Sequence, residues 1–483
     1  MNYNNLTLLT DLYELTMMQG YFYSNNKDKN AVFDLFFRKT PDHNGFAITA
    51  GLQQAVEYLV NLEFSPDDIQ YLDSLNIFTE EFLNYLRSFK FKGDVYAIPE
   101  GTVVFPHEPL MQIHGTLMEC QLVESALLNI INHQSLIATK SSRVVSSAGE
   151  NAVLEFGLRR AQGPDAAIYG SRAAIIGGCK STSNVLAGKM FDIPVSGTHA
   201  HSWIMGFDTE YEAFKRYSEV YKERCYLLVD TYNTLKSGVP NAIRVFTEMK
   251  KNNRLPKAYG IRLDSGDLAY LSIKSRELLD KAGFTDAIIS ASSDLDEYLI
   301  MDLKNQGAKI DVWGVGTNLI TSKDNPSFGG VYKISAEING DTVIPKIKLS
   351  ENSAKVTNPG IKKIFRLYDR EENKVKGDLI TLVHETINTN EDLTIFHPIE
   401  TWRRMTLKAG QFTTKELLIK VMEKGELIYN FPSVLEIAKH AKEELGLLWS
   451  QHRRLTNPQT MPVDLSQELY DLKVKMITEI RGE

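Results

Sequence analysis

Arginines, histidines, carboxylates and glycine-rich turns recur in one kind of place in this chain: directly after short β-branched or aromatic runs. The runs lie at 153–156, 193–196, 225–229, 259–263, 287–289 and 312–315. The first leads into Gly157-Leu158-Arg159-Arg160, the second into Gly197-Thr198-His199-Ala200-His201, the third into Asp230-Thr231. The fourth ends in Arg262-Leu263-Asp264-Ser265-Gly266-Asp267, the fifth passes through the polar stretch 290–294, and the sixth leads into Gly316-Thr317-Asn318. Arginine is the planar fork that fits a carboxylate or phosphate. Glycines let backbone N–H groups approach a phosphate, and a following helix N-terminus adds partial positive charge. Any one polar loop is weak evidence, and Asp267 or Asp294 has helix N-capping as its simpler reading. Together they predict an anionic, phosphorylated substrate.

The elements between these loops decide whether they can meet. Helix-compatible segments at 211–224, 268–282 and 295–305 alternate with the runs, which implies right-handed β-α-β crossovers and a parallel sheet. Six units in about 165 residues fit a (β/α) barrel, whose chemistry sits at the C-terminal ends of its strands; an open doubly wound sheet is the alternative. The flanks lack this rhythm. Strands are expected at 32–38 and 94–98 and helices at 53–62 and 122–135, and Asn339-Gly340 between two apolar runs signals a hairpin with a type I′ turn. From 414 onward the chain reads as mostly helical, with Val434, Ile437, Ala438, Ala441, Leu445 and Leu448 as a core-facing stripe. The expected organisation is an N-terminal α/β domain over 1–135, the barrel over 136–330, and a C-terminal region over 331–483 whose strands return to the first domain before the helices.

Composition narrows the function. The 483 residues carry 54 Lys plus Arg against 61 Asp plus Glu, a net charge of -7, which argues against a nucleic-acid or anionic-membrane binder. No apolar run approaches the ~18 residues of a membrane span. Cys120, Cys179 and Cys225 form no CxxC pair and no zinc-ligand spacing, so reduced thiols in a cytoplasmic protein are expected.

Six motifs, in order along the chain, carry a resemblance. Leu9-Thr10-Asp11-Leu12-Tyr13-Glu14-Leu15-Thr16-Met17, Glu155-Phe156-Gly157-Leu158-Arg159-Arg160-Ala161, Gly197-Thr198-His199-Ala200-His201-Ser202, Asp230-Thr231-Tyr232, Arg262-Leu263-Asp264-Ser265-Gly266-Asp267 and Gly314-Val315-Gly316-Thr317 resemble nicotinate phosphoribosyltransferase. The resemblance implies an irregular (β/α) barrel beside an α/β domain of N-terminal and returning C-terminal strands. It also implies a reaction of nicotinate with phosphoribosyl pyrophosphate, coupled to ATP hydrolysis through a phosphohistidine, with magnesium required, as the entry of nicotinate into NAD salvage.

The resemblance assigns roles residue by residue. His201 matches the phosphorylated histidine, with Asp264 or Asp230 to orient its other nitrogen; His199 is structural. Arg262 with Thr198 suits the nicotinate carboxylate, and Phe156 and Tyr13 suit its ring, Tyr13 reaching the site from the neighbouring subunit of a homodimer. Asp264 serves the ribose hydroxyls or the developing cation, and Arg159, Gly316 and Thr317 hold phosphates. Lys346 or Lys348 reaches the pyrophosphate or lies on a solvated hairpin face. The nicotinamide-using relative is the nearest rival. The loop Gly177-Gly178-Cys179-Lys180-Ser181-Thr182-Ser183 holds no acid, which favours the acid substrate. A non-catalytic pyridine- or nucleotide-binding sensor on the same scaffold is a further alternative. A metal-dependent hydrolase using His199 and His201 is disfavoured, because no further histidine occurs before Asn318.

Overall fold

The computed structural model describes residues 5–41, 44–352, 355–400 and 402–482. The chain divides into two compact units, one made of Met1–Leu136, Ser327–Pro432 and Lys439–Glu483, the other of Ile137–Pro326 and Ser433–Ala438.

The first unit contains a seven-stranded antiparallel sheet. Asn30–Phe37 is paired on one side with Gly330–Asn339 and on the other with Met111–Thr116, followed by Asp94–Ala97 and Ile419–Glu423. Asn30–Phe37 is buried along almost its whole length, so the one acid inside it, Asp34, needs partners. Lys362 supplies a 2.8 Å ion pair and Gln112 a 3.0 Å hydrogen bond. A second, six-stranded sheet carries Lys362–Asp369 and Val375–Leu382. There Arg366, fully buried, bridges Asp378 at 2.6 Å and Glu444 at 2.7 Å.

The other unit is built on a six-stranded sheet in which every pairing is parallel. Its order is Ser181–Thr182, Ala152–Glu155, Val312–Val315, Ile288–Ser293, Ala258–Leu263, Arg224–Leu228. The first long strand in sequence thus lies beside the last. The helices Glu210–Val220, Val239–Lys251, Leu268–Lys281 and Glu297–Asn305 alternate with the strands, and Asp267 and Asp296 cap the last two of these through side-chain bonds to Tyr270 and Leu299 N–H.

Several sequence expectations are corrected. The run at 193–196 forms only a single bridge, Val195 to Thr182, while the two-residue strand Ser181–Thr182 occupies the sheet edge. Pro194, which has no N–H to donate, limits that run's pairing. Asp294 is not the helix cap; Asp296 is. In the hairpin, Asn339 pairs with Thr342, so the turn residues are Gly340 and Asp341, and only Gly340 has positive φ, at 58°. That is one left-handed position rather than the two of a type I′ turn. The stretch after 414 is not mostly helical: it carries the strands Phe412–Glu416, Ile419–Glu423 and Val463–Leu465 besides the helices Val434–Leu447 and Gln467–Arg481. Lys362 and Arg366 are buried ion-pair partners.

Candidate active site

Because all pairings in the six-stranded sheet are parallel, the C-terminal ends of its strands share one edge. Arg262 stands near the end of Ala258–Leu263, Ser292 near the end of Ile288–Ser293, and Glu155 at the end of Ala152–Glu155. Arg262 and Gly314 are two strands apart, hence about 10 Å at ~4.8 Å per strand.

The Arg262 guanidinium is held on three sides. Nε donates to Ser292 Oγ at 2.9 Å, Nη1 to Thr198 Oγ1 at 2.8 Å and the His199 carbonyl at 3.4 Å, and Nη2 to Asp264 Oδ1 at 3.1 Å. Four of its five N–H groups are therefore engaged within the protein, leaving one on Nη2. The Ser292 hydroxyl in turn donates a hydrogen bond to Asp264 Oδ1. Burial acts to raise the Asp264 pKa, but the Ser292 hydrogen bond, the Arg262 charge and His201 outweigh it, so this carboxyl sits below its ordinary value. Asp230 anchors the same turn, accepting from Asp264 N–H at 2.9 Å and Ser265 Oγ at 2.6 Å.

His201 opens the short helix His201–Met205 and is half-exposed. Its Nδ1 lies 3.1 Å from Thr231 Oγ1, and its Nε2 lies 3.7 Å from Asp264 Oδ2. Of the two acids considered for orienting this ring, Asp264 is the one beside it, and the hydrogen-bonded partner is a hydroxyl. His199 faces elsewhere. It is buried against Tyr217, ring centroids 4.6 Å apart, and its Nε2 accepts the Leu228 N–H at 3.3 Å. Burial holds that imidazole down at about 4.

Phe156 follows its strand directly, its N–H bonded to the Val315 carbonyl at 2.8 Å. The ring lies over Gly314: a Cβ there would stand 2.6 Å from two ring carbons and 3.3 Å from Ser292 Cβ. A Cβ on Gly316 would come within 3.1 Å of the Phe156 carbonyl oxygen. The turn is fastened beneath by Glu155, fully buried, which accepts from Gly157 N–H, from Thr182 Oγ1 at 2.5 Å and from Ser171 Oγ at 3.0 Å. Burial raises the Glu155 pKa, and these hydrogen bonds offset part of the rise. Arg159 is exposed in the 3-10 turn Leu158–Arg160, and Thr317 begins the short helix Thr317–Ile320 after Gly316.

The sheet thus gathers Phe156, Thr198, His201, Arg262, Asp264 and Gly316 along one connected rim. Tyr13 lies in the other unit, exposed on the helix Leu12–Phe22. Two contributors have no role in the sequence reading: Thr231 beside His201, and Ser292 between Arg262 and Asp264. The signal for Ser292 is faint but present. Serines at 290 and 292 alternate with Ile289 and Ala291, so both hydroxyls fall on one face of the strand.

Comparison with known proteins supplies the family. Models of the nicotinate phosphoribosyltransferase N-terminal domain, family body and C-terminal domain match residues 8–132, 152–366 and 361–473. The chain belongs to the nicotinate phosphoribosyltransferase family. A Bacillus subtilis nicotinate phosphoribosyltransferase is 48% identical over 99% of this chain and 96% of its own length. The Homo sapiens nicotinate phosphoribosyltransferase is 32% identical over 96% of this chain and 95% of its own. The crystal structure of human nicotinic acid phosphoribosyltransferase superposes with a TM-score of 0.84 at 30% identity, covering 97% of this chain and all (100%) of that one. It shares the mixed α/β fold of this member of the nicotinate phosphoribosyltransferase family. A nicotinate-nucleotide pyrophosphorylase from Pyrococcus furiosus, 23% identical with a TM-score of 0.70 over 92% of this chain and 97% of its own, is alike in fold.

Proposed function

We propose that this chain transfers the phosphoribosyl group of phosphoribosyl pyrophosphate to nicotinate, releasing nicotinate mononucleotide and pyrophosphate as the first step of NAD salvage from nicotinate. ATP hydrolysis drives the reaction through phosphorylation of His201. The observation that carries the reading is the juxtaposition of His201, Asp264 and Arg262, one nitrogen-nucleophile beside an ion pair on the same rim. The six-stranded parallel sheet, extended by the Thr182–Val195 bridge and by the His199 contact to Leu228, is read as an irregular (β/α) barrel with this rim as its mouth.

The chemistry suits the residues. The pyridine nitrogen of nicotinate already carries a free lone pair near neutral pH, so no general base is required. It attacks the anomeric carbon as the bond to pyrophosphate breaks, and the ribose passes through an oxocarbenium-like state. Asp264, ionised at neutral pH, offsets the developing positive charge. The remaining Nη2 N–H of Arg262 and the Thr198 hydroxyl receive the nicotinate carboxylate, while Phe156 packs on the ring. Glu155 is turned away from that carboxylate, both its oxygens accepting from Gly157 N–H, Ser171 and Thr182 beneath the turn. The rival substrate, nicotinamide, has no anion to match Arg262. Arg159, Gly316 and Thr317 receive the phosphates.

In the coupled half-reaction an imidazole nitrogen of His201 attacks the γ-phosphorus of ATP, ADP leaves, and water later cleaves the phosphoramidate. Magnesium fits the donor set: one oxygen of Asp230 is buried without a hydrogen-bond partner among the described residues, and magnesium is commonly held by one or two carboxylates plus substrate phosphates. Bound there by Asp230 and the phosphates, it would neutralise the leaving pyrophosphate. Tyr13 serves the ring from the neighbouring subunit of a homodimer, and the three buried free thiols suit a cytoplasmic enzyme.

Labelled ATP tests the reading. Acid-labile phosphate is expected on His201, and His201→Ala is expected to abolish ATPase activity and the ATP-dependent gain in product while slow ATP-independent transfer persists. Continued labelling of the variant would assign the phosphate to another nucleophile.

A further inference from the structure

The Arg262–Asp264 pair is joined by a third side chain that sits on a different strand. Ser292 is 6% exposed and lies opposite Gly314 on one side, one residue beyond the Ala291–Leu263 pairing on the other. Its hydroxyl has one proton and two lone pairs. Arg262 Nε–H is a donor only, so at 2.9 Å it must take a lone pair of Ser292 Oγ, and the serine proton is left for Asp264 Oδ1. The direction of both hydrogen bonds is thereby set. The next residue, Ser293, has φ of 147°, a region a non-glycine residue rarely adopts, and its carbonyl accepts the Leu295 N–H at 2.8 Å. The strand end is held in an uncommon backbone shape right where it presents this hydroxyl.

We propose that Ser292 is a positioning residue for the transfer reaction: it locks the guanidinium plane of Arg262 and fixes the Asp264 carboxylate beside it, so that one Arg262 N–H and the Asp264 carboxylate stay aimed at the substrate. Without the hydroxyl, Nε loses its acceptor and Arg262 retains Thr198, the His199 carbonyl and Asp264, contacts at its outer end about which the fork can swing. Asp264 loses a donor and keeps only Arg262 and the distant His201. The kinetic part of this inference rests on the function proposed above; the geometric part does not.

The test compares the wild-type protein with Ser292→Ala, Ser292→Thr and Arg262→Ala. It reads kcat and KM for nicotinate, the thermal midpoint, and water exchange of the Arg262 Nε–H by nitrogen-15 NMR, that signal being assigned by its loss in Arg262→Ala. For Ser292→Ala the expected result is a KM for nicotinate about tenfold higher, the size of one lost charge-assisted hydrogen bond. Nε–H exchange should quicken at least about tenfold by the same argument. Ser292→Thr, which keeps the hydroxyl, should restore both. Unchanged exchange in Ser292→Ala overturns the inference, as does equal impairment of the Ala and Thr variants with a lowered thermal midpoint, which marks a packing role. If Arg262→Ala leaves nicotinate kinetics intact, the substrate assignment fails, and the exchange measurement still decides whether Ser292 holds the fork.

Discussion

Gly314→Ala is the perturbation whose size the structure defines best. The added Cβ would stand 2.6 Å from Cδ2 and Cε2 of Phe156, whereas carbon atoms pack at about 3.5–4.0 Å. The ring must therefore retreat by about 1 Å. It cannot do so by moving its backbone freely, because the Phe156 N–H is bonded to the Val315 carbonyl at 2.8 Å and Gly157 N–H to Glu155. Nor can the new methyl shift the other way, with Ser292 Cβ 3.3 Å from it. Overpacking of this kind costs about 1–3 kcal/mol. Charged to the binding of nicotinate, it predicts a KM about 5–150-fold higher, since ~1.4 kcal/mol is a factor of ten. Initial rates with nicotinate varied at saturating phosphoribosyl pyrophosphate and ATP measure it, and the same rates with ATP varied should show a change below about twofold, because the strain is confined to the ring. The double variant Gly314→Ala/Phe156→Leu should recover the thermal midpoint, as the clashing ring atoms are gone, while its KM for nicotinate stays raised because the packing ring is lost. An unchanged KM for nicotinate at an unchanged thermal midpoint would refute the placement of this ring against the substrate; equal rises for both substrates would mean that the strand had shifted.

Two further outcomes bear on the scaffold. Arg366→Leu leaves Asp378 and Glu444 buried without their cation and is expected to cost about 3–5 kcal/mol, measured by denaturant unfolding. His199, held at about 4 against an ordinary 6.5, adds stability that is fully present above pH 6.5 and is lost as the pH falls through 4. Its full contribution is at most about 3 kcal/mol. His199→Gln should flatten the acid side of the stability profile, and an unaltered slope would show that this ring is not buried neutral.

The candidate site was largely legible in the sequence because its parts are local. Each candidate residue lies at the end of a β-branched or aromatic run or within a few positions after it, and the direction of a parallel strand carries that local fact to a common edge. Thus Arg262, His201, Phe156 and Gly316 were identified, and the structure connects them. What could not be read were contacts whose partners lie about 30 residues apart. Ser292 between Arg262 and Asp264, and Thr231 beside His201, depend on which strands are neighbours and which face each side chain takes. His199 and His201 differ by two residues, yet one is buried at a sheet edge and the other opens a helix at the rim.

The flanks were less legible for a related reason. Strands such as Arg404–Leu407 and Phe412–Glu416 are short and mix charged with apolar residues, so they show no period of their own, and they exist because neighbouring strands satisfy their backbone groups. Nothing in the sequence around Lys362 and Arg366 marks them as buried; the fold sets Asp34 against the one and Asp378 and Glu444 against the other. Residue type and local order, then, determined the chemistry this chain can offer. Its tertiary structure alone decided which groups spend that chemistry on each other and which remain free for a substrate, because hydrogen-bond partners are allotted by position in space and a chain's order does not record it.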